Sequence, residues 1–271
     1  MVRVKSLLRN NKRYDVSFSH ENGSESVFSL SEDVVVEYRL VPGKALDEAV
    51  FSAFLLSAER DGIYQKTLAY ALRFPQTESG IRTYLADRSV RGETAEIILG
   101  KLLRLGIVDD VAYATRFVED HGLTRREGPI KMAFELQRRG VSRETVAKAM
   151  EILTPEVQTV HLNELFDQKI GSLQGYPQQK AMTLMSRHLV AKGYDPERVM
   201  AFVSARSGIF AVRHPDDELI RGDFREILRL ADRAGWKGPE RRAKIIQRLM
   251  QKGYRYPSIQ KEMGKGEDSD E

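Results

Sequence analysis

The sequence predicts a mostly α protein, in which tandem three-helix, helix-turn-helix-like repeats form an elongated curved rod behind a small N-terminal antiparallel β segment. Three observations predict it. First, Leu85, Leu136, Leu189 and Leu249 each close an apolar-spaced segment, and Ser89, Gly140, Gly193 and Gly253 stand four residues beyond. Second, the surrounding columns repeat. Ile81, Met132, Met185 and Ile245 lie one helical turn upstream; Ala95, Val146, Val199 and Ile259 lie ten residues downstream, and Leu99, Met150, Val203 and Met263 fourteen. Leu pairs four apart occur in any helical protein, but the downstream columns lie past a loop whose length has stayed fixed. Such a recurrence means one supersecondary unit copied along the chain. Third, only residues 1–45 change from helical spacing to alternation.

In that first segment Tyr14-Asp15-Val16-Ser17-Phe18-Ser19 alternates large and small side chains, and Asn22-Gly23 supplies a hairpin turn. Val27-Phe28-Ser29-Leu30 resumes the alternation, and Val34-Val35-Val36-Glu37-Tyr38 is β-branched and aromatic. Two or three short antiparallel strands follow, closed by Pro42-Gly43. A lead helix occupies 46–63, with Val50, Phe51, Phe54 and Leu55 on its apolar face and a stop at Asp61-Gly62.

Repeat one covers 64–106, with a break at Pro75. Repeat two covers 107–154; Gly122 and Glu127-Gly128-Pro129 precede its second helix, and Ser142 caps its third. Repeat three covers 155–207, and Asp195-Pro196-Glu197 starts its last helix with a cap and an N1 proline. A linker, Gly208 to Pro215, leads to repeat four at 216–263, which breaks at Gly235–Pro239. Residues 264–271 read as an acidic disordered tail. Each repeat is three short helices, marginal alone in water, so neighbours must cover one another's apolar stripes.

Composition excludes several classes. With 271 residues, 41% apolar, the chain is long enough for a core. It has no cysteine, which rules out disulfides and thiolate zinc sites. The charged start, Met-Val-Arg-Val-Lys, does not resemble a secretory signal, and nothing approaches the roughly 18 apolar residues of a membrane span. A cytosolic monomer, with no membrane contact, is expected. The histidines His20, His121, His161, His188 and His214 show no ligand spacing. Asp109-Asp110 and Asp216-Asp217 resemble metal-binding pairs, but each stands where a helix begins, and capping explains them more simply. Pro42-Gly43-Lys44-Ala45 lacks the flanks of a phosphate-binding loop, and no catalytic fingerprint appears. No enzyme activity, cofactor or metal is expected.

Charge is the stronger lead. The net charge is +4, yet Arg221 to Arg255 hold 11 Lys/Arg against 4 Asp/Glu. Arg221, Arg225, Arg229 and Arg233 recur every four residues, opposite Phe224, Ile227, Leu228 and Ala231. Arg241, Lys244, Arg248, Lys252 and Arg255 line the next helix, opposite Ile245, Ile246 and Leu249. Repeat two adds Arg125, Arg126, Lys131, Arg138, Arg139 and Arg143. Any one stripe is as readily a solvated face as a contact surface; three such clusters in successive grooves favour a polyanionic partner, single-stranded or double-stranded DNA included. Trp236, Tyr254 and Tyr256 form the only aromatic cluster legible here, which favours recognition by shape and charge over base reading. The acidic tail would compete for the same basic surface.

Leu105-Gly106-Ile107-Val108-Asp109-Asp110-Val111-Ala112-Tyr113-Ala114, followed by Arg116-Phe117-Val118, resembles the central signature of RecX proteins. Gly128-Pro129-Ile130-Lys131-Met132 through Leu136 to Gly140-Val141 is similar to the family segment one helix later, and Phe28 to Val34 to the extension of longer members. Phe74-Pro75-Gln76-Thr77-Glu78-Ser79-Gly80 departs from the Arg/Ser-rich entry usual there. The resemblance implies a regulator that binds the RecA–DNA filament and mainly inhibits its ATPase and strand exchange, within DNA repair and the SOS response. The rival readings are a stand-alone helix-turn-helix DNA-binding protein, which should grip duplex DNA without RecA, and a purely structural scaffold.

Overall fold

In the computed structural model, which describes residues 1–267, the chain opens with β1 (Val2–Asn10), β2 (Arg13–His20) and β3 (Glu25–Leu30). A two-residue β4 (Ala45–Leu46) completes an antiparallel sheet of order β3-β2-β1-β4. The Asn22-Gly23 turn forms as expected: Gly23 takes φ 77°, and the Asn22 side chain accepts the Ser24 N–H at 3.0 Å. Alternation sends Val4, Val16, Phe18 and Leu30 to the covered face.

Two expectations for this segment need correcting. β1 replaces what was read only as a charged start; its Val-Arg-Val-Lys alternation is a strand pattern. Val34–Tyr38 is not a strand but belongs to α1 (Glu32–Glu37) and its C-terminal turn. Glu32 and Asp33 occupy its first turn, where the helix dipole favours them. A strand would place Val34 and Val36 on one face. The helix instead buries adjacent Val34 and Val35 and leaves Val36 65% exposed.

α2 (Glu48–Arg73) is a single helix of 26 residues, so the stop expected at Asp61-Gly62 is absent. The reason is tertiary. Asp61 is turned inward, where its carboxylate accepts Arg13 Nη2 at 2.9 Å and the Ser31 N–H at 3.0 Å. The N-terminal half of α2 covers the sheet: Phe54 lies 4.9 Å from Phe18 and 5.3 Å from Phe28, ring to ring. The C-terminal half joins α3 (Glu78–Ala86) and α4 (Gly92–Arg104) around Tyr64, Ala71, Ile81, Leu85, Ile98, Leu99 and Leu102.

Two compact units divide the chain: residues 1–114 with 138–145, and residues 115–137 with 146 onward. The boundary runs within α5 (Asp110–Val118), just before the end of α6 (Pro129–Arg138), and within α7 (Arg143–Met150). A π-helical turn, Glu119–Thr124, follows α5.

In the second unit, α8 (Pro155–Ile170), α9 (Gln178–Ala191) and α10 (Pro196–Ser204) enclose Phe166, Met185, Leu189, Tyr194, Val199 and Phe202. Asp195 caps α10 by accepting the Arg198 N–H at 2.9 Å, with Pro196 in the first turn. α11 (Ser207–Arg213) occupies most of the expected Gly208–Pro215 linker. Phe210, fully buried against Phe166 at 5.5 Å, turns that stretch into a packed element. α12 (Asp216–Arg233), α13 (Gly238–Lys252) and α14 (Tyr256–Glu267) share a core of Ile220, Phe224, Ile227, Ala231, Ile245, Leu249, Tyr254 and Ile259. Gly264–Glu267, expected as disordered tail, continue α14; the rest of that tail lies outside the described residues.

The copied columns have a common packing role. Leu85, Leu136, Leu189 and Leu249 are fully buried, and their upstream partners are at most 2% exposed. The residue four beyond each anchor takes a left-handed backbone: φ is 61° at Ser89, 82° at Gly140, 99° at Gly193 and 109° at Gly253. The three glycines also press on the start of a neighbouring repeat's second helix. A Cβ at Gly140 would sit 2.2 Å from the Ser79 Cβ, one at Gly193 2.4 Å from the Lys131 Cβ, and one at Gly253 2.7 Å from the Lys180 Cβ. Hydrogen bonds follow the same rule: Thr77 Oγ1 donates to the Arg139 carbonyl at 2.8 Å, and the Ile130 N–H to the Gly193 carbonyl at 3.0 Å.

No helix among the described residues is long and apolar enough to cross a membrane.

Candidate nucleic-acid interface

The regular four-residue spacing of Arg221, Arg225, Arg229 and Arg233 sets them on one stripe of α12, and all four are exposed. The opposite stripe, Ile220, Phe224, Ile227 and Ala231, is buried, with Leu228 half-buried beside it. Arg225 Nε donates to the Arg221 carbonyl at 3.2 Å, which holds that side chain along the helix. Among the described residues no carboxylate lies within ion-pair distance of Arg225, Arg229 or Arg233. Among the described residues, Arg225, Arg229 and Arg233 thus present positive charge without a carboxylate partner, while Asp217 interacts with Arg221.

The stripe on α13 is different. Arg241 pairs with Asp232 at 2.8 Å, and Lys244 with Glu240. Lys252 binds Asp223 at 2.7 Å and Glu226 at 3.1 Å, and these bonds, Asp223 first, hold its ammonium above the ordinary lysine range. Asp223 also accepts the Tyr254 hydroxyl at 2.6 Å; burial and that carboxylate push the phenol well up. Lys244 and Arg248 stand over the Trp236 ring at 5.0 and 5.2 Å from its centroid. Arg248 is exposed, and Arg255 donates to Gln179 at 3.3 Å. Of the expected aromatic cluster, Tyr254 is core, Trp236 is covered by cations, and only Tyr256 is exposed.

The repeat-two residues separate into two groups. In the second unit, Arg125 pairs with Asp120 at 3.0 Å, Arg126 with Glu164, and Lys131 with Glu127 at 2.7 Å. Arg126 has a left-handed backbone (φ 56°), and its carbonyl accepts the Tyr194 hydroxyl at 3.1 Å. Burial pushes that phenol up to about 12. These three cations hold the fold locally.

In the first unit, Arg138 and Arg139 line a cleft of about 330 Å³ with Tyr70, Tyr84 and Tyr113. The Tyr70 and Tyr84 rings stack at 4.0 Å with planes 13° apart, and the Arg88 guanidinium covers Tyr84 at 3.6 Å. Arg139 Nη1 donates to the Tyr113 hydroxyl. Arg143 is exposed nearby in sequence.

The sequence reading missed this aromatic group. Tyr70, Tyr84 and Tyr113 come from three helices, α2, α3 and α5, so no single-helix period joins them. Gln76, Thr77, Ser79 and Gly80, from the stretch that departs from the family pattern, line the same cleft.

The acidic pairs cap helices. Asp109 accepts the Val111 and Ala112 N–H groups at 2.9 and 3.0 Å, while Asp217 pairs with Lys261 at 2.7 Å. Asp110 and Asp216 each accept a backbone amide from a different helix. Among the described residues no group of three or more His, Asp or Glu is placed to hold a metal ion.

Comparison with known proteins gives a consistent result. A family model, "RecX, second three-helix domain", matches residues 109–150. Regulatory protein RecX of Halalkalibacterium halodurans is 26% identical over 264 residues, covering 96% of this chain and 97% of that protein. The Listeria innocua protein of the same name is 27% identical over 261 residues, covering 93% and 91%. A crystal structure of regulatory protein RecX superposes with TM-score 0.64 at 24% identity, over 76% of this chain and all of that one. The structure of RecX from Lactobacillus salivarius gives 0.52 at 16%, over 56% and 99%. At those identities the structural likeness establishes the fold.

Proposed function

The chain belongs to the RecX family of regulatory proteins, and from that premise we propose that it binds the RecA–DNA filament and lowers its ATPase and strand-exchange activity. The observation that carries this reading is the exposed arginine stripe of α12, in a fold whose relatives are named regulators. A nucleoprotein filament repeats its acidic protein surface and its phosphates at fixed intervals. Basic clusters on repeats two and four would engage such a lattice at more than one point, and individually weak contacts add to useful avidity.

Within this reading Arg221, Arg225, Arg229, Arg233 and Arg248 make the long-range contacts. Arg241, Lys244 and Lys252 contribute less, because internal carboxylates already hold them.

The test is charge reversal at Arg225, Arg229 and Arg248 together. Filament binding and RecA ATPase inhibition should fall with no change in melting temperature. Unchanged inhibition would reduce the stripes to solvated surface. Binding is compared on single-stranded DNA, duplex DNA and RecA-coated DNA at two salt concentrations. Preference for coated DNA supports the regulator, and equal affinity for bare duplex supports the stand-alone DNA-binding reading.

A further inference from the structure

We infer that the cleft in the first unit is a nucleotide subsite for single-stranded nucleic acid, in which the Tyr70 ring stacks a base and Arg138 and Arg139 take its phosphate. This deepens the regulatory reading by giving the strand a specific seat, and it rests on that reading for its biological setting.

The components are those that unspecific single-strand binding requires: cations along a groove and aromatic faces beside them. Arg138 and Arg139 are adjacent at the end of α6, both exposed. Their neighbours in the cleft include three tyrosines and the Asp87 carboxylate. The cleft volume of about 330 Å³ lies at the lower end of the roughly 300–1,000 Å³ typical of small-molecule sites, a size suited to one nucleotide.

Stacking geometry narrows the choice of ring. Tyr84 is closed on both faces, by Tyr70 on one side and the Arg88 guanidinium on the other. That sandwich fixes Tyr70 by its inner face; with the Arg139 guanidinium over the Tyr113 ring at 5.9 Å from its centroid, Tyr70 is the ring a base can meet. Tyr113 is itself held by Arg139, so ring and guanidinium are positioned together.

The start of α3, also at the cleft, is not the anion-binding element. Its first amides are taken by Asp110 and by Thr77, whose hydroxyl accepts the Gly80 N–H at 3.0 Å. The phosphate therefore falls to the arginines. An acidic peptide would use those arginines too, but it gains nothing from a stacked aromatic pair, whereas every base has a π-face to offer.

The experiment uses the full chain and a short fluorescent oligo-thymidine carrying 5-bromodeoxyuridine, photocrosslinked and mapped by mass spectrometry. The expected crosslinks fall on Tyr70. Replacing Arg138 and Arg139 with Ala, or Tyr70→Leu alone, should weaken oligonucleotide binding by about tenfold or more, with α12 variants keeping the crosslinks.

Crosslinks confined to other residues overturn the inference, as does displacement by poly-glutamate matching that by unlabelled oligo-thymidine. Because the crosslinks are read on the unmodified chain, a variant that misfolds leaves the crosslinking outcome unaffected. RecA ATPase inhibition is measured separately: its absence defeats the filament reading and leaves the crosslink result standing.

Discussion

The Asp110 carboxylate caps a helix other than its own: its Oδ1 accepts the Glu78 N–H at the start of α3, at 2.8 Å. Asp216 does the same one repeat pair further on, accepting the Gln178 N–H of α9 at 2.8 Å. In each case one member of a repeat's acidic pair supplies an acceptor to the first amide of the previous repeat's second helix. Neighbouring repeats are thereby joined through a helix terminus as well as through their cores.

Asp110→Ala and Asp216→Ala should each cost about 1 kcal/mol, the usual loss for a removed cap. Hydrogen exchange localises the effect. Asp110→Ala should speed exchange at the first amides of α3, and Asp109→Ala at Val111 and Ala112. Acceleration confined to α5 in both variants would contradict the cross-helix assignment.

The anchor glycines give a second prediction, graded by geometry. Gly193→Ala adds a Cβ 2.4 Å from the Lys131 Cβ to a backbone at φ 99°, whereas Gly235→Ala, at φ 66°, meets nothing within 4 Å. The first combines left-handed strain with overpacking and should cost about 2–4 kcal/mol; the second should cost about 1 kcal/mol. Gly140→Ala belongs with the first. Equal denaturation midpoints for the Gly193 and Gly235 variants would refute the close-packing argument.

Buried histidines should make stability depend on acid. His161 and His214 are 8% and 1% exposed; each has one ring nitrogen without a hydrogen-bond partner, and burial holds both below the ordinary histidine range. Arg126 adds to that shift at His161 and Glu164 opposes it. At His214 the Tyr176 carbonyl and Asp216 oppose it, while Arg213 adds to it. A depressed folded pKa means the unfolded chain takes the proton first. Stability is therefore full above the unfolded value of about 6.5 and declines as pH falls below it. Thermal melts at about pH 8 and about pH 5.5 should differ, and His161→Phe should narrow the gap. Identical melts for the wild type would dispose of this account.

Lys252 and Arg229 separate structural from contact charge. Lys252→Ala leaves Asp223 and Glu226 without their cation and should cost about 0.5–1 kcal/mol, the modest figure reflecting its partial exposure. Arg229→Ala should change stability by less than about 0.5 kcal/mol and act only on binding. The reverse pattern, with Arg229 stabilising and Lys252 binding, would exchange their roles.

Elements whose determinants are local were legible in the sequence. The Asn22-Gly23 hairpin, the Ser142 and Asp195 caps, the Gly235–Pro239 break and the buried anchor columns all follow from neighbours within a turn or two. Errors arose where a distant partner decided. Asp61 looked like a helix stop until Arg13 and the Ser31 amide drew it inward. Gly208 looked like a linker until Phe210 found Phe166. The basic stripes were visible as periodicity, but periodicity does not reveal that, among the described residues, Lys252 is paired with carboxylates and Arg229 is not. The Tyr70–Tyr84–Tyr113 group was invisible for the same reason: its members meet only after three helices pack.

Because α2 serves the sheet with one half and the first helical repeat with the other, those two regions share a single backbone ladder. Helix formation is cooperative along its length, so Phe51 and Phe54 at one end and Tyr64 and Ala71 at the other should melt together. Cutting away the first 45 residues would strip the cover from Phe54 while leaving its helix intact. The product would be a sticky, weakened repeat array, so this N-terminal sheet is a working part of the scaffold and not a detachable ornament.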